Sequence, residues 1–366
     1  NCRLGKCALK AMQLPVVNGV LDLSGATPQL RAYRQEDCCT WKMGVPYDPN
    51  AKADRFLREL VRPALELPED EFLLQCMWGS MLQQGNKAQR IFLIDGEGGS
   101  GKTTFISIFE FMLGMTLIGH LRTSLLAGRF ETSFLKGKWI IIGKDVDSDA
   151  LMHKSASMIK SLTGDDMTQV EVKYADRKDL RGNFHVLLVS NKRLRIRIDG
   201  DAGAWRRRII RVPFTRTVPH NNEKNLAGHL IEEEGAGLLN WAIVGLYAHR
   251  AAGDDYKLTD AQKQRNDDLI QESEGVTSFL RLMVEKGVGT ISSEELWLSY
   301  EAFTMKRGWT PLTKTKFQSE ASAKMEELFS SPNVHDVLRD GSHVRGYRHV
   351  RFIQSETSSP ITTGEI

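Results

Sequence analysis

The sequence predicts an α/β fold built around a phosphate-binding loop, on three observations. A glycine-rich stretch, "GEGGSGKTTF" (96–105), lies between an apolar run, "RIFLID" (90–95), and a helical pattern. Apolar runs of strand length alternate with amphipathic helices from 90 to about 250, as parallel α/β modules require. The strand candidates are nearly continuous in apolar residues, which suits strands covered on both faces.

The elements follow in order. Residues 1–85 are expected to form a lead-in and helical packing or oligomerisation region, with an extended piece "LPVVNGVLDLS" (14–24) and helices in "ADRFLRELVRPALEL" and "EDEFLLQCMWGSMLQQ". Pro63 interrupts or kinks the first of these. Residues 86–252 are expected to form the nucleotide-binding domain, with strands at 90–95, 138–143, 183–190 and 208–212 and helices at 102–113, 149–162 and 225–250. In the first of these helices Phe105, Ile108, Phe109, Met112 and Leu113 form one buried face. The polar stretch 251–275 reads as a linker or exposed helix. Within 253–352, three helices are followed by a hairpin with a turn at Asp340-Gly341, the order of a winged helix. Residues 353–366 form a polar tail expected to be disordered.

With 366 residues and 41% hydrophobic content the chain can bury a full core. It has no run of 18 apolar residues and no hydrophobic signal core, so a soluble cytoplasmic protein is expected. It begins with Asn, as expected of a fragment or processed product of something longer. Five cysteines (Cys2, Cys7, Cys38, Cys39, Cys76) include no C-x-x-C pair, and reduced thiols are expected over a disulfide framework or a zinc site. Net charge is only +3, but Val170 to Arg211 carries 12 Lys/Arg against 5 Asp/Glu. Such a basic strip suggests contact with a polyanion.

The glycine-rich loop satisfies G-x-x-x-x-G-K-[ST] in the strand-to-helix context that the motif needs. Gly96, Gly98, Gly99 and Gly101 allow positive dihedrals and close approach, so backbone N–H groups can face phosphate oxygens. Ser100 and Thr104 complete the loop and first helical turn. Lys102 adds a mobile cation at the helix's positive end, and Thr103 is placed to hold Mg²⁺. ATP and Mg²⁺ are therefore the expected cofactors. After the run "KWIIIG", Asp145 is the candidate metal carboxylate, with Asp147 a second. Asn191, ending "HVLLVSN", is placed to orient water and sense the γ phosphate. Arg206, Arg207 and Arg208 in "AWRRRIIRVPF" offer the arginine that answers charge on a transferred phosphoryl group.

Taken together, "GEGGSGKTT", "GKWIIIGKDVD", "IKSLTGDDMTQVEVKYADRK", "FHVLLVSN" and "AWRRRIIRVPF" resemble the A, B, B′, C and arginine-finger motifs of superfamily 3 helicases, nearest the phage, plasmid and poxvirus-type primase-helicases. Successive spacings from Lys102 to Asp145, Asn191 and Arg208 are a compact 43, 46 and 17 positions. The resemblance implies an AAA+ core forming a homo-hexameric ring, with ATP between subunits and single-stranded DNA in the channel. It further implies 3′ to 5′ translocation and unwinding of forked duplex during replication of a phage or mobile element. The arginine of the next subunit, Arg207 or Arg208, would complete the site. The segment "VEVKYADRKDLRG" occupies the place of the channel hairpin, so Lys173, Tyr174, Arg177 and Lys178 would touch DNA.

Two departures stand out. Lys144 precedes Asp145 where relatives carry a second acid, which leaves the identity of the base open. "SNKRLRIRI" lacks the proline that usually follows the sensor. No pair of spaced acids with a histidine marks a primase or polymerase site in this chain. The rival readings are an ATP-switched initiator or assembly protein without unwinding, a DNA-packaging motor, and a small-molecule kinase. The C-terminal domain is expected to bind DNA or a replication partner.

Overall fold

The computed structural model describes residues 12–121, 135–148, 150–151, 155–172, 175–196, 202–216, 225–307, 309 and 311–353. The chain divides into two compact units, Asn1–Leu269 and Ile270–Ile366. It is a mixed α/β protein. No helix among the described residues is long and apolar enough to cross a membrane.

The first unit opens with an antiparallel meander of β1 (Gln13–Val16), β2 (Gly19–Asp22) and β3 (Gln29–Arg31). A helical run follows: α1 (Asp54–Phe56), a π-helical turn (Leu57–Val61) and α2 (Arg62–Ala64), with Pro63 near the start of α2. The proline, which lacks an N–H, follows the π-helical turn, and the helical run ends one residue later, with Leu65 extended at φ −91°, ψ 142°. Next come α3 (Glu69–Ser80), β4 (Ile91–Asp95), α4 (Lys102–Leu113), β5 (Ile118–His120) and β6 (Ile140–Gly143). Then follow α5 (Ser155–Thr163), the hairpin β7 (Met167–Val172) and β8 (Ala175–Arg181), β9 (His185–Ser190), α6 (Ala202–Arg208) and β10 (Ile209–Pro213). The unit closes with α7 (Leu226–Ala251) and the start of α8 (Asp260–Ser273).

Five strands form one parallel sheet in the order β10-β4-β9-β6-β5. Every residue of β4, β6, β9 and β10 is buried, the double coverage that their apolar runs foretell. The edge strand β5 is absent from the sequence reading, because "IGH" is too short and too polar to carry a period. Helix α5 starts at Ser155, later than the expected 149.

The lead-in region and the sheet share one hydrophobic core. Trp78 of α3 lies 4.9 Å from Phe105 and 5.1 Å from Phe109 of α4, and 5.2 Å from Trp241 of α7. Helices α3 and α7 approach backbone to backbone: a Cβ on Gly79 would lie 2.1 Å from Leu246 N, and one on Gly245 would lie 1.9 Å from Gln75 O. Residues 253–269 also belong to this unit. Tyr256 donates to Ser80 Oγ (2.6 Å), and Gln262 and Arg265 grip the buried carboxylate of Asp70 at 2.6–2.9 Å. A stretch that reads as a polar linker is thus held by buried polar partners, a pattern that hydropathy does not reveal.

Cys38 is disulfide-bonded, which corrects the expectation of reduced thiols throughout. Its partner lies outside the described residues; Cys39 and Cys76 are not disulfide-bonded. Disulfide pairing depends on Cα separations in the folded chain, which sequence spacing does not supply.

The second unit contains α9 (Gly275–Met283), β11 (Val284–Ser292), α10 (Ser293–Lys306), α11 (Lys314–Phe329), β12 (Val334–Arg339) and β13 (Ser342–Phe352). Its antiparallel sheet has the order β11-β13-β12. Tyr300 stacks on Phe317 at 4.3 Å in a core that includes Phe279 and Tyr347. The turn between β12 and β13 places Asp340 and Gly341 at φ 49° and 76°, the left-handed pair of a two-residue hairpin loop. Strand β11 is the element that sequence missed here. Its two glycines and the exposed side chains of Lys286, Val288 and Thr290 hide the alternation.

His185 is fully enclosed in β9, with Nε2 3.1 Å from the Gln83 carbonyl. Burial lowers its pKa to about 4. The unfolded chain therefore binds the extra proton first, and stability falls as pH drops from about 6.5 to about 4. We expect His185→Gln to flatten this slope by about 2–3 kcal/mol across that window relative to wild type, as read by denaturant unfolding at several pH values.

Candidate functional site

The loop 96–101 leaves the C-terminal end of β4 and turns into α4. Gly96 has φ 151°, and a Cβ there would lie 2.0 Å from the carbonyl of Phe214, whose N–H donates to Asp95 O at 2.7 Å. Only glycine fits under that exit of β10. Gly99 and Gly101 adopt φ 84° and 85°, and left-handed Gly101 caps the helix without a side-chain hydrogen bond. The N–H groups of the first turn are thereby left for an anion. Gly98 differs from the expectation for all four glycines: it has no left-handed φ, and a Cβ would meet nothing within 4 Å.

Lys102 is 4% exposed. Its Nζ donates to Gly96 O (2.7 Å), Glu97 O (2.8 Å) and Ser100 Oγ (3.0 Å). Burial lowers its pKa, and the charges of Asp95 and Asp145 oppose that shift. The ammonium thus occupies the cradle of the loop on neutral carbonyl and hydroxyl oxygens, which a phosphate can replace with better charge complementarity. Ser100 is buried and donates to Glu97 O at 2.9 Å. Thr103 is exposed and Thr104 half-buried in the first turn of α4.

Because β6 and β9 are parallel neighbours, their C-terminal ends bring Asp145 and Asn191 together. Asn191 Nδ2 lies 3.4 Å from Asp145 Oδ1, at the long end of the hydrogen-bond range. The two ends are pinned by Ser190 Oγ donating to Val146 O (2.6 Å) and by Val146 N donating to Val189 O (2.9 Å). Asp145 has φ 50°, and both it and Asp147 are exposed. Thr103 and Asp145 carry oxygen donors of the kind that suit a hard divalent cation, and both side chains are exposed.

Lys144 has a partner that the sequence did not reveal. Its Nζ lies 2.6 Å from Oε2 of the buried Glu110 on α4, whose Oε1 is 3.7 Å from His120 Nδ1. Its charge is therefore met by Glu110. A second hidden pair lies under the loop: Asp95, buried at the end of β4, accepts from Arg211 Nε of β10 at 2.8 Å. An acid ending an all-buried strand was the one available signal.

Arg206, Arg207 and Arg208 end α6 and precede β10. Ile209 pairs with Ile91 and Pro213 with Asp95, so these arginines stand level with the start of β4. The loop follows its end, roughly 13 Å of strand away. Sequence brings the arginines and the loop into one motif series; the parallel register sets them at opposite ends of the sheet. Lys173 and Tyr174 lie outside the described residues. Arg177 and Lys178 fall on β8, with Lys178 paired to Val170 across the hairpin.

A protein family of unknown function (DUF5906) matches residues 94–208, from the end of β4 through α6. No curated protein matches the chain. Solved structures similar to it include the following two. The A form apo structure of the NrS-1 C-terminal region has a TM-score of 0.50 at 11% identity, over 93% of this chain and 82% of that one. The apo structure of NrS-1 C-terminal region (305-718) has a TM-score of 0.50 at 10% identity, over 93% and 83%. At such identities the likeness is one of fold.

Two outcomes follow from this geometry. Asp95→Ala leaves Arg211 as an uncompensated buried charge and should cost about 3–5 kcal/mol, whereas Asp95→Leu combined with Arg211→Met should cost clearly less in the same chemical-denaturation assay. Gly98→Ala should leave stability within about 0.5 kcal/mol of wild type, while Gly96→Ala should destabilise strongly.

Proposed function

We propose that this chain is an ATP-hydrolysing DNA helicase module of the superfamily 3, AAA+ type, acting as a homo-hexameric ring in replication of a phage or mobile element. The observation that carries this reading is the buried Lys102 ammonium, held in a glycine loop by replaceable oxygens and acted on by the charge of Asp145. Asp145 stands beside Asn191 at the ends of neighbouring strands. The pairing of Lys144 with Glu110 supports hydrolysis over the non-hydrolysing initiator reading, because the basic residue in the acid position has its charge already matched.

In the proposed cycle Lys102 exchanges its loop oxygens for β and γ phosphate oxygens. The first-turn N–H groups of α4 receive the remaining charge. Thr103 and Asp145 would hold Mg²⁺, which neutralises phosphate charge when bound. Asn191 orients the attacking water, with Asp145 or Asp147 as the neighbouring base. An arginine from the next subunit completes the site, a role supported by the distance of Arg206–Arg208 from their own loop. Lys173, Tyr174, Arg177 and Lys178 would contact single-stranded DNA, and translocation runs 3′ to 5′. The second unit, read as winged-helix-like, would engage DNA or a replication partner.

The test is ATP turnover with and without single-stranded DNA at two salt concentrations. Stimulation by DNA that fades with salt and is lost in Lys102→Ala is expected; turnover indifferent to DNA would leave a nucleotide-switched assembly protein instead. Asn191→Ala should reduce kcat by about 10²-fold with ATP affinity little changed, as measured by titration calorimetry.

A further inference from the structure

The three arginines at the end of α6 are not equivalent, and the difference has a physical cause. Arg206 Nε donates to Asp267 Oδ1 of α8 at 2.7 Å, so its guanidinium is committed to its own subunit. Arg208 is half-buried, with Nη1 donating to Ala204 O at 3.2 Å. Arg207 is exposed, and among the described residues its guanidinium has no hydrogen-bond or ion-pair partner.

What is held at Arg207 is the backbone. Arg90 Nη1 donates to the Arg207 carbonyl. Arg90 is itself fixed from two sides: Nε and Nη2 form a fork on Asp255 Oδ1 and Oδ2 at 2.9 and 3.0 Å. Its main chain exchanges two hydrogen bonds with the buried Asn86 side chain, at 2.8 and 3.1 Å. The Arg90 side chain is 14% exposed, so this is an ordered guanidinium. It has spent a donor on the carbonyl of a residue whose own side chain is exposed. Arg90 also immediately precedes β4, the strand whose other end enters the nucleotide loop.

We infer that Arg90, held by Asp255, is a positioning residue that aims Arg207 at the nucleotide of a neighbouring copy. This rests on the reading under Proposed function and extends it to the residues that set the arginine's geometry. Fixing a carbonyl at the base of a long side chain leaves the side chain mobile but restricts where it begins, which lowers the entropy lost when it docks. Arg206 would then act as a staple to α8, and Arg208 as packing at the start of β10.

The experiment is a double-mutant cycle on ATP turnover in the assembled protein. Arg207→Ala should lower kcat by about 10³-fold or more while leaving ATP affinity within about twofold. Arg90→Met should lower kcat by about tenfold with the thermal midpoint nearly unchanged, and Arg90→Lys should recover part of the loss. In the Arg207→Ala background, Arg90→Met should cost nothing further. An equal loss in both backgrounds, or a wild-type kcat in Arg90→Met, would overturn the positioning role. Asp255→Asn, at a half-exposed site, gives the same comparison if Arg90→Met does not fold.

Mixing inactive Lys102→Ala with inactive Arg207→Ala subunits should restore turnover, since some interfaces then pair an intact loop with an intact arginine. No restoration would overturn action in trans. Lys102→Ala separates the two levels of the argument. If it abolishes turnover while Arg207→Ala matches wild type, only this inference fails. If wild type does not hydrolyse ATP, or Lys102→Ala still does, the functional reading fails and this inference with it.

Discussion

Parallel pairing of β4 with β9 on one side and β10 on the other decides where each candidate functional side chain lies. Parallel strands release their loops at the same end, so the glycine loop after β4 and Asn191 after β9 are adjacent. Asp145 joins them one strand further, after β6. The same rule sends residues that precede a strand to the opposite end, where Arg90 and the three arginines meet. One hydrogen-bonding register thus sorts the candidate residues to two ends of the sheet. The crowding of Gly96 against the Phe214 carbonyl follows from it too, because β10 must leave the sheet directly over the start of the loop.

Charge burial is the second constraint. Asp95 with Arg211, Asp70 with Arg265 and Glu110 with Lys144 each bring a carboxylate under cover beside a cation. Burying two charges gains little net stability over an apolar pair, yet losing one partner is costly. Such pairs therefore specify geometry more than they add stability. Glu110 ties the helix after the loop to the residue before Asp145. Arg211 ties β10 to the last residue before the loop. Lys102 is the exception among these cations, since burial covers it on neutral oxygens, and its lowered pKa records that cost.

The helices then fix the loop's far side. Phe105 and Phe109, on the buried face of α4, pack against Trp78 of α3, which in turn contacts Trp241 of α7. The segments before and after the sheet are therefore part of the scaffold that holds α4, and hence Lys102, in place. Close backbone approach at Gly79 and Gly245 makes that packing specific to glycine. In this respect the region read as a lead-in belongs to the foundation of the site.

Local pattern was enough for much of this protein. Residue type and period placed β4, β6, β9 and β10, the helices α4 and α7, the loop with Lys102, and the turn at Asp340-Gly341, because each is set by neighbours within a few residues. Hydropathy could not find β5, which is short, or β11, which is broken by two glycines and exposed residues, nor the role of 253–269, where side chains such as Gln262 and Asn266 are buried against distant partners. Likewise the pairs Lys144–Glu110, Asp95–Arg211 and Arg90–Asp255, the disulfide at Cys38, and the inequality of Arg206, Arg207 and Arg208 exist only once the sheet has brought remote residues together. By itself the sequence determined which chemical groups the site has at hand. Tertiary structure decided which of them meet, because strand register and burial, not spacing along the chain, set the distances over which hydrogen bonds and charges act.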